Sequence, residues 1–254
     1  VIEPTSGELA SGLEGKGRME EPEVIADMID TYFARKSALR GKSILITGGP
    51  TYEPIDPVRF IGNHSSGKTG VLLADACAER GAKVILVTGP THQKVKDHRI
   101  TVVPVMTAEE MKTAVAQHWA QMDVGIFSAA VADYRPSEPA AEKIKKKTDD
   151  MTISLVKNPD ILSWAGSQKK EGQYLVGFAL ETTNEIEHAR GKFERKNLEL
   201  LVLNSLRDKG AGFGHNTNKV TFIKDHNKLI NFELKEKSQV VNDILDEIEK
   251  DIQP

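Results

Sequence analysis

The hydrophobic pattern of the chain switches repeatedly between short apolar runs and longer segments with a single apolar face. Lys42 to Thr47, reading Lys-Ser-Ile-Leu-Ile-Thr, is a branched run of strand length that leads into a glycine-rich loop. A helix follows from about Ser66 to Arg80, with Gly81 just beyond it as the residue able to end it in a left-handed conformation. Lys83 to Thr88 is the next strand and Ile100 to Val103 a third. Thr107-Ala-Glu-Glu110 is a capping box opening a helix to Gln121, since hydroxyl and carboxylate each satisfy a backbone N–H there. Val124 to Ser128 is a fourth strand. The alternation predicts a parallel sheet covered on both faces.

Beyond Ala129-Ala-Val-Ala-Asp133 the alternation stops. Residues 134–150 are rich in Pro, Ala, Glu and Lys, ending Glu142-Lys-Ile-Lys-Lys-Lys147-Thr-Asp-Asp150, and this composition predicts a mobile flap. Met151 to Lys157 reads as a strand, Asn158-Pro159 as the cap and start of a helix, and Tyr174 to Phe178 as a strand opening on Glu181 and Thr182. The charged helix Asn184 to Lys196 precedes the buried run Leu198 to Leu203. An extension at about 210–234 combines the turn Gly210-Ala-Gly-Phe-Gly214 with a hairpin, Val220 to Ile223 and Leu229 to Leu234, and Ser238 to Ile252 closes as an amphipathic helix. Val1 to Met19 has no periodicity, whereas Val24, Ile25, Met28, Ile29, Tyr32 and Phe33 form one helical stripe ended by Gly41. The expected fold is α/β, a Rossmann-like three-layer parallel sheet with helices on both faces plus a β-hairpin extension. Ligands then sit at the carboxyl ends of the strands.

Composition narrows the chemistry. The 254 residues suffice for one large domain or two small ones. Thirty-four basic and 37 acidic residues leave a net charge of -3, so no global field draws the chain to nucleic acid or an anionic membrane. No apolar run has the length of a bilayer span and no signal pattern opens the chain, which makes the cytoplasm the expected compartment. The single cysteine, Cys77, sits among Leu72, Leu73, Ala74, Ala76 and Ala78 as a buried thiol would. The histidines at 64, 92, 98, 118, 188, 215 and 226 never fall at ligand spacing within one element.

Gly62-Asn-His-Ser-Ser-Gly-Lys-Thr69 satisfies the P-loop pattern, which would imply a nucleotide hydrolase or kinase. A P-loop requires a buried strand directly before its first glycine, yet the residues before Gly62 are Pro57-Val-Arg-Phe-Ile. A non-catalytic dinucleotide-binding module is a further alternative, though G-x-G-x-x-G is missing after the first strand. The donors of this loop at a helix start still favour an anion site over an idle connection.

The company of the loop is more specific. Thr51-Tyr-Glu-Pro-Ile-Asp-Pro-Val-Arg59, Asn63-His-Ser-Ser-Gly-Lys68, Ala129-Ala-Val-Ala-Asp-Tyr-Arg135, Glu142-Lys-Ile-Lys-Lys146, Lys157-Asn-Pro-Asp-Ile161, Val176-Gly-Phe-Ala179 and Arg195-Lys-Asn197 together resemble phosphopantothenoylcysteine synthetase. The resemblance runs from Ser43 to the C-terminus, and the first 20 residues look like the tail of the flavin-dependent decarboxylase fused ahead of it in bacterial bifunctional enzymes. It implies residues 1–40 as decarboxylase tail and linker helix and 41–254 as the ligase domain, without FMN. It further implies ligation of 4′-phosphopantothenate with L-cysteine, driven by CTP and Mg2+ through an acyl-cytidylate, in a cytoplasmic homodimer.

The same resemblance carries over residue by residue. Lys143 matches the lysine acting in acyl-cytidylate formation, although Lys143, Lys145, Lys146 and Lys147 also read as a solvated charge run. Asp133 matches a nucleotide-binding position that can also hold magnesium, with a helix-capping aspartate as the bland alternative. Asn158, Pro159, Asp160 and Ile161 match the CTP-contacting segment, and Phe178 a residue beside the nucleotide. Lys192 and Lys196, four apart on one helix face, can both reach a triphosphate. Asn63 matches the asparagine of the second half-reaction, where the other reading is an Asx-turn. Gly48, Ser65, Ser66, Gly67, Lys68, Ala129 and Ala130 are assigned to phosphopantothenate or the intermediate. Two departures stand out: Thr69, where many relatives have methionine, and Ser11, where the better-known decarboxylase tails have cysteine.

Overall fold

A computed structural model describes residues 3–8, 11–145, 150–181, 184–205, 214–224 and 228–252. Lys146 and Lys147 of the flap, Thr182, and residues 210–213 and 225–227 of the extension lie outside the described residues. In chain order the elements begin with β1 (Thr5–Glu8), β2 (Glu14–Arg18), α1 (Pro22–Ser37), β3 (Ser43–Gly48), β4 (Tyr52–Pro54), β5 (Phe60–Gly62), α2 (Lys68–Glu79), β6 (Lys83–Thr88) and β7 (Thr101–Pro104). There follow α3 (Ala108–His118), β8 (Val124–Phe127), β9 (Tyr134–Pro136), β10 (Leu155–Lys157), α4 (Ile161–Ser167), β11 (Tyr174–Glu181) and α5 (Glu185–Arg195). The chain closes with β12 (Leu200–Ser205), β13 (Thr217–Asn218), β14 (Val220–Ile223), β15 (Leu229–Asn231), β16 (Lys235–Glu236) and α6 (Lys237–Ile252).

The central eight-stranded sheet has the order β15-β14-β12-β11-β8-β3-β6-β7. From β7 to β12 all pairings are parallel, and β14 and β15 add antiparallel edge strands. Alternate side chains of a strand face opposite layers. Ile44 and Ile46 accordingly enter a core with Leu73 and Cys77 of α2 and Ile244 and Leu245 of α6. Leu45, between them, enters a second core with Met111 of α3, Ile161 of α4 and Ala189 of α5. Both faces are covered, as the near-continuous apolar strands predict.

Caps fix the helices as read. Thr107 accepts from the Glu110 amide at 3.2 Å, and the Glu110 carboxylate accepts from the Thr107 amide, completing the box. Gly81 ends α2 at φ 91°, where the Ala82 amide reaches back to the Cys77 carbonyl. Gly48 and Gly70 let β3 and α2 approach: a Cβ on Gly70 would lie 2.7 Å from the Gly48 Cα.

The structure differs from the sequence reading at several places. Asn158 does not cap α4; the cap is Asp160, whose Oδ1 accepts from the Ser163 amide at 3.0 Å. Residues 134–136, read as flap, pair with β10 as β9, and that strand begins at Leu155 rather than Met151. The aperiodic N-terminal segment contains the antiparallel pair β1–β2, built on glycines rather than apolar alternation. The hairpin at 220–234 continues the central sheet through the β12–β14 pairing.

Candidate functional site

The first strand of the central sheet, β3, has β6 on one side and β8 on the other, so the chain reverses direction across the sheet between β3 and β8. Strand ends diverge at such a switch point and leave a crevice. Two adjoining cavities open there. The first is lined by Gly49, Ser65 to Gly70, Ser128 to Ala130, Phe178 to Leu180, Asn204, Asn218 and Lys237. The second is lined by Thr47, Asn63, Met111, Phe127, Ala129 to Asp133, Asn158 to Leu162, Phe178, Leu180 and Lys196. Ala129, Ala130, Phe178 and Leu180 belong to both.

The first cavity is cationic. Gly67 precedes α2 at φ 77° and provides no side-chain cap; the Lys68 amide donates to Ser66 Oγ at 3.5 Å, and the first turn, Lys68 to Gly70, forms part of the cavity wall. Thr91 Oγ1 donates to the Ser66 carbonyl at 2.7 Å and shapes the entry. Lys68 Nζ donates to Asn216 Oδ1 at 2.7 Å. Lys237, at the start of α6, is buried in the same wall, and burial together with the like charge of Lys68 lowers its pKa. Among the described residues no aspartate or glutamate lines this cavity. Two ammonium groups beside a helix start, with no carboxylate among those residues, make a receptor for an anion. Lys237 was not legible as a site residue; its one signal is a lysine in the first turn of a helix, where the macrodipole disfavours a cation.

Asn63 lines the second cavity beside Ala130, which lines both. Its Nδ2 donates to the carbonyl oxygens of Ala130 at 3.0 Å and Val131 at 3.2 Å, which leaves the side-chain oxygen as the group it offers a ligand. The hairpin β4–β5 carries it: Tyr52 and Phe60 stack at 3.9 Å, and buried Glu53 accepts from the Ala108 amide at 3.0 Å. Among the described residues β5 pairs with β4 alone and stays out of the central sheet, so the segment 62–69 lacks the buried strand that a P-loop follows.

Asp133, Asn158, Pro159, Asp160, Ile161, Phe178 and Lys196 all line the second cavity. Asn158 is spent on the loop: Nδ2 donates to the Ala132 carbonyl at 2.8 Å, and Oδ1 accepts from Arg135 at 3.1 Å. Asp160 pairs with Lys196 at 3.0 Å while capping α4. Lys192 is not brought there; it pairs with Glu181 at 2.6 Å. Gly48 is buried in β3 beside Gly70 and is not part of either lining. Lys143 is exposed and lines neither cavity; its neighbour Ile144 is held by Asp56 and Arg59 at the hairpin tip. Arg59 holds the buried Asp56 carboxyl well below the usual carboxylate range against the opposing effect of burial, helped by the amides of Val58, Ile144 and Arg59. Among the described residues no group of three His, Cys, Asp or Glu side chains could hold a metal ion, and no helix is long and apolar enough to cross a membrane.

Residues 39–252 match the model of the DNA/pantothenate metabolism flavoprotein C-terminal domain. The chain is 49% identical over 252 residues to a cysteine/cysteine sulfinic acid decarboxylase from an unknown prokaryotic organism, covering 98% of this chain and 70% of that protein. It is 46% identical to the coenzyme A biosynthesis bifunctional protein CoaBC of Bacillus subtilis strain 168, covering 89% of this chain and 56% of that one. The chain thus spans little more than half of that relative's length. A crystal structure of the C-terminal domain of a coenzyme A biosynthesis bifunctional protein CoaBC superposes with a TM-score of 0.71 at 41% identity, covering 84% of this chain and 97% of that one.

Proposed function

The chain belongs to the DNA/pantothenate metabolism flavoprotein C-terminal domain family, and from its site we propose that it ligates 4′-phosphopantothenate to L-cysteine at the expense of CTP. The observation that carries the reading is the pair of adjoining cavities at the switch point, one cationic and one lined by the nucleotide candidates, with Asn63 in the second beside the shared Ala130. Supporting it, the relatives CoaBC are named for coenzyme A biosynthesis.

In this reading Lys68, Lys237 and the start of α2 hold the phosphate of phosphopantothenate, and its carboxylate extends past Ala129 and Ala130 toward Asn63. The nucleotide lies along Asp133, residues 158–161 and Phe178, with Lys196 at its phosphates. A carboxylate oxygen attacks the α-phosphorus, the bond to the β-phosphate bridging oxygen breaks, and pyrophosphate leaves with that electron pair. The amine of cysteine then attacks the acyl carbon, CMP departs, and the ammonium proton passes to water. Lys143, reaching in from the flap, stabilises charge at the α-phosphate in the first step. In the second, the Asn63 oxygen accepts an N–H of the incoming amine and orients it without adding a full charge. Asp133 supplies one carboxylate; a magnesium ion held there would take its other ligands from nucleotide phosphates and water, the usual arrangement for that ion, and would neutralise the triphosphate.

The active form is a homodimer, completed by the extension at 210–234. β15 is the edge of the sheet, and an edge strand has backbone groups to offer a second copy. Incubation with CTP, Mg2+, phosphopantothenate and L-cysteine should yield CMP and pyrophosphate in equal amounts. CDP with inorganic phosphate would overturn the reading, and a panel of nucleotides with pyrophosphate readout fixes the base. The decarboxylase among the relatives supplies a second arm: L-cysteine alone should release no carbon dioxide.

A further inference from the structure

The tip of the β4–β5 hairpin carries a buried carboxylate for which the ligation steps have no use. The two oxygens of Asp56 divide their bonds. Oδ1 accepts from the amides of Val58 and Arg59, both at 2.9 Å, and closes the turn. Oδ2 accepts from the Arg59 guanidinium, through Nε at 3.0 Å and through Nη2, and from the Ile144 amide at 3.1 Å. Arg59 Nη2 also donates to the Ile144 carbonyl oxygen at 3.1 Å. Both backbone polar groups of Ile144 therefore end on one Asp–Arg pair. A further bond, Ala140 N–H to the Ile55 carbonyl at 2.9 Å, laces residues 140–144 to the same turn.

The turn by itself does not account for this arrangement. An Asx-turn needs one acceptor oxygen, and a neutral asparagine would close it as well. A buried charge carries a desolvation penalty unless its remaining lone pairs are satisfied. Here they are satisfied by a segment whose neighbours Glu142, Lys143 and Lys145 are all exposed. What the second oxygen and the arginine secure is that segment, and Lys143 lies inside it.

We propose that Asp56, locked by Arg59, is a positioning residue for Lys143. It fixes the backbone directly after Lys143 and so sets where the ammonium group reaches, while Asn63 at the foot of the same hairpin meets the acyl end. The stacked Tyr52–Phe60 pair and the buried Glu53 bond make tip and foot one rigid piece. The role given to Lys143 rests on the ligase reading; the lacing does not.

Asp56→Asn separates the two functions, because the amide keeps Oδ1 for the turn and loses the acceptor at Oδ2. Loss of the Arg59 partner should lower the unfolding midpoint, and amide exchange across residues 141–145 should rise about tenfold or more beyond that of core amides in the same variant, the weight of a hydrogen bond to a charged group. The single-turnover rate of pyrophosphate release from CTP and phosphopantothenate without cysteine should fall about tenfold at saturation, with the half-saturating phosphopantothenate concentration little changed. In a Lys143→Gln background Asp56→Asn should cost nothing more, since the group it positions is gone. Arg59→Gln should loosen the same amides, and Ile144→Ala, which keeps both backbone bonds, should not. Unchanged exchange in Asp56→Asn and Arg59→Gln overturns the lacing. Losses that multiply in the double variant overturn the positioning role. If the parent protein releases pyrophosphate from no nucleotide, the ligase reading falls and the role of Lys143 with it, while exchange alone still decides the lacing.

Discussion

The amide nitrogen of Asn63 lies 3.0 Å from the carbonyl oxygen of Ala130, and this bond seats the β4–β5 hairpin on the turn that follows β8. A carboxylate in place of that amide would set an anionic oxygen against two carbonyl oxygens.

Asn63→Asp should therefore turn the side chain out of its seat and stall the second half-reaction. With CTP and phosphopantothenate the acyl-cytidylate should accumulate, and its transfer to cysteine should slow by about tenfold or more. Quench and mass analysis of the intermediate check this. Normal turnover would remove Asn63 from the mechanism.

Lys237 is held in a place that suits a bound anion better than the empty protein. Its folded pKa is lowered by burial and by Lys68, so at neutral pH the charged form costs stability. Lys237→Met should raise the thermal midpoint of the ligand-free protein. The same change should raise KM for the phosphorylated acid about tenfold to a hundredfold. Melting curves and initial rates test the two signs separately.

Lys196 and Lys192 should behave differently despite their shared helix face. Lys196→Gln leaves Asp160 its capping bond to Ser163, so α4 survives while KM for the nucleotide rises. Lys192 is engaged with Glu181 away from the second cavity, and Lys192→Gln should raise KM for the nucleotide less. Equal effects in nucleotide titrations would restore the equivalence that their spacing suggests.

Gly70→Ala should destabilise by about 1–3 kcal/mol, the usual penalty of overpacking, because the added methyl would meet the backbone of Gly48 at 2.7 Å. Denaturant melts measure it.

Cys77 is fully buried, and burial pushes its thiol from 9.0 up to about 12. It should be inert to thiol reagents in the native state at pH 8 and react fully in denaturant. The fold accepts only the neutral thiol, so this contribution is complete below about pH 9 and fades as pH rises toward 12. The slope is about 1.4 kcal/mol per pH unit. A cysteine-to-serine variant, Cys77→Ser, should lose that alkaline dependence.

The central sheet could be read from the chain because its strands are buried on both faces, so Ile44, Leu45 and Ile46 are all apolar. Caps with a local rule were equally plain, as at Thr107 and Glu110. The Asp160 cap was hidden because Asn158-Pro159 offers the same letters two residues earlier, and only the long-range pull of Ala132 and Arg135 on Asn158 decides between them. β1–β2 carries glycine and charge rather than apolar alternation, so no period marks it. In the site, residues on the strand ends and the loop before α2 were legible because contiguous motifs carry them. Lys237 was not, since its neighbour Lys68 lies far away in sequence and only the packing of α6 beside α2 joins them.

The two cavities share part of their wall. Ala129, Ala130, Phe178 and Leu180 belong to both linings. Whatever fills one cavity thus presses on residues that also bound the other. Each ligand must then change the dissociation constant of its neighbour by the same factor that the neighbour changes its own, a reciprocity that holds whichever binds first.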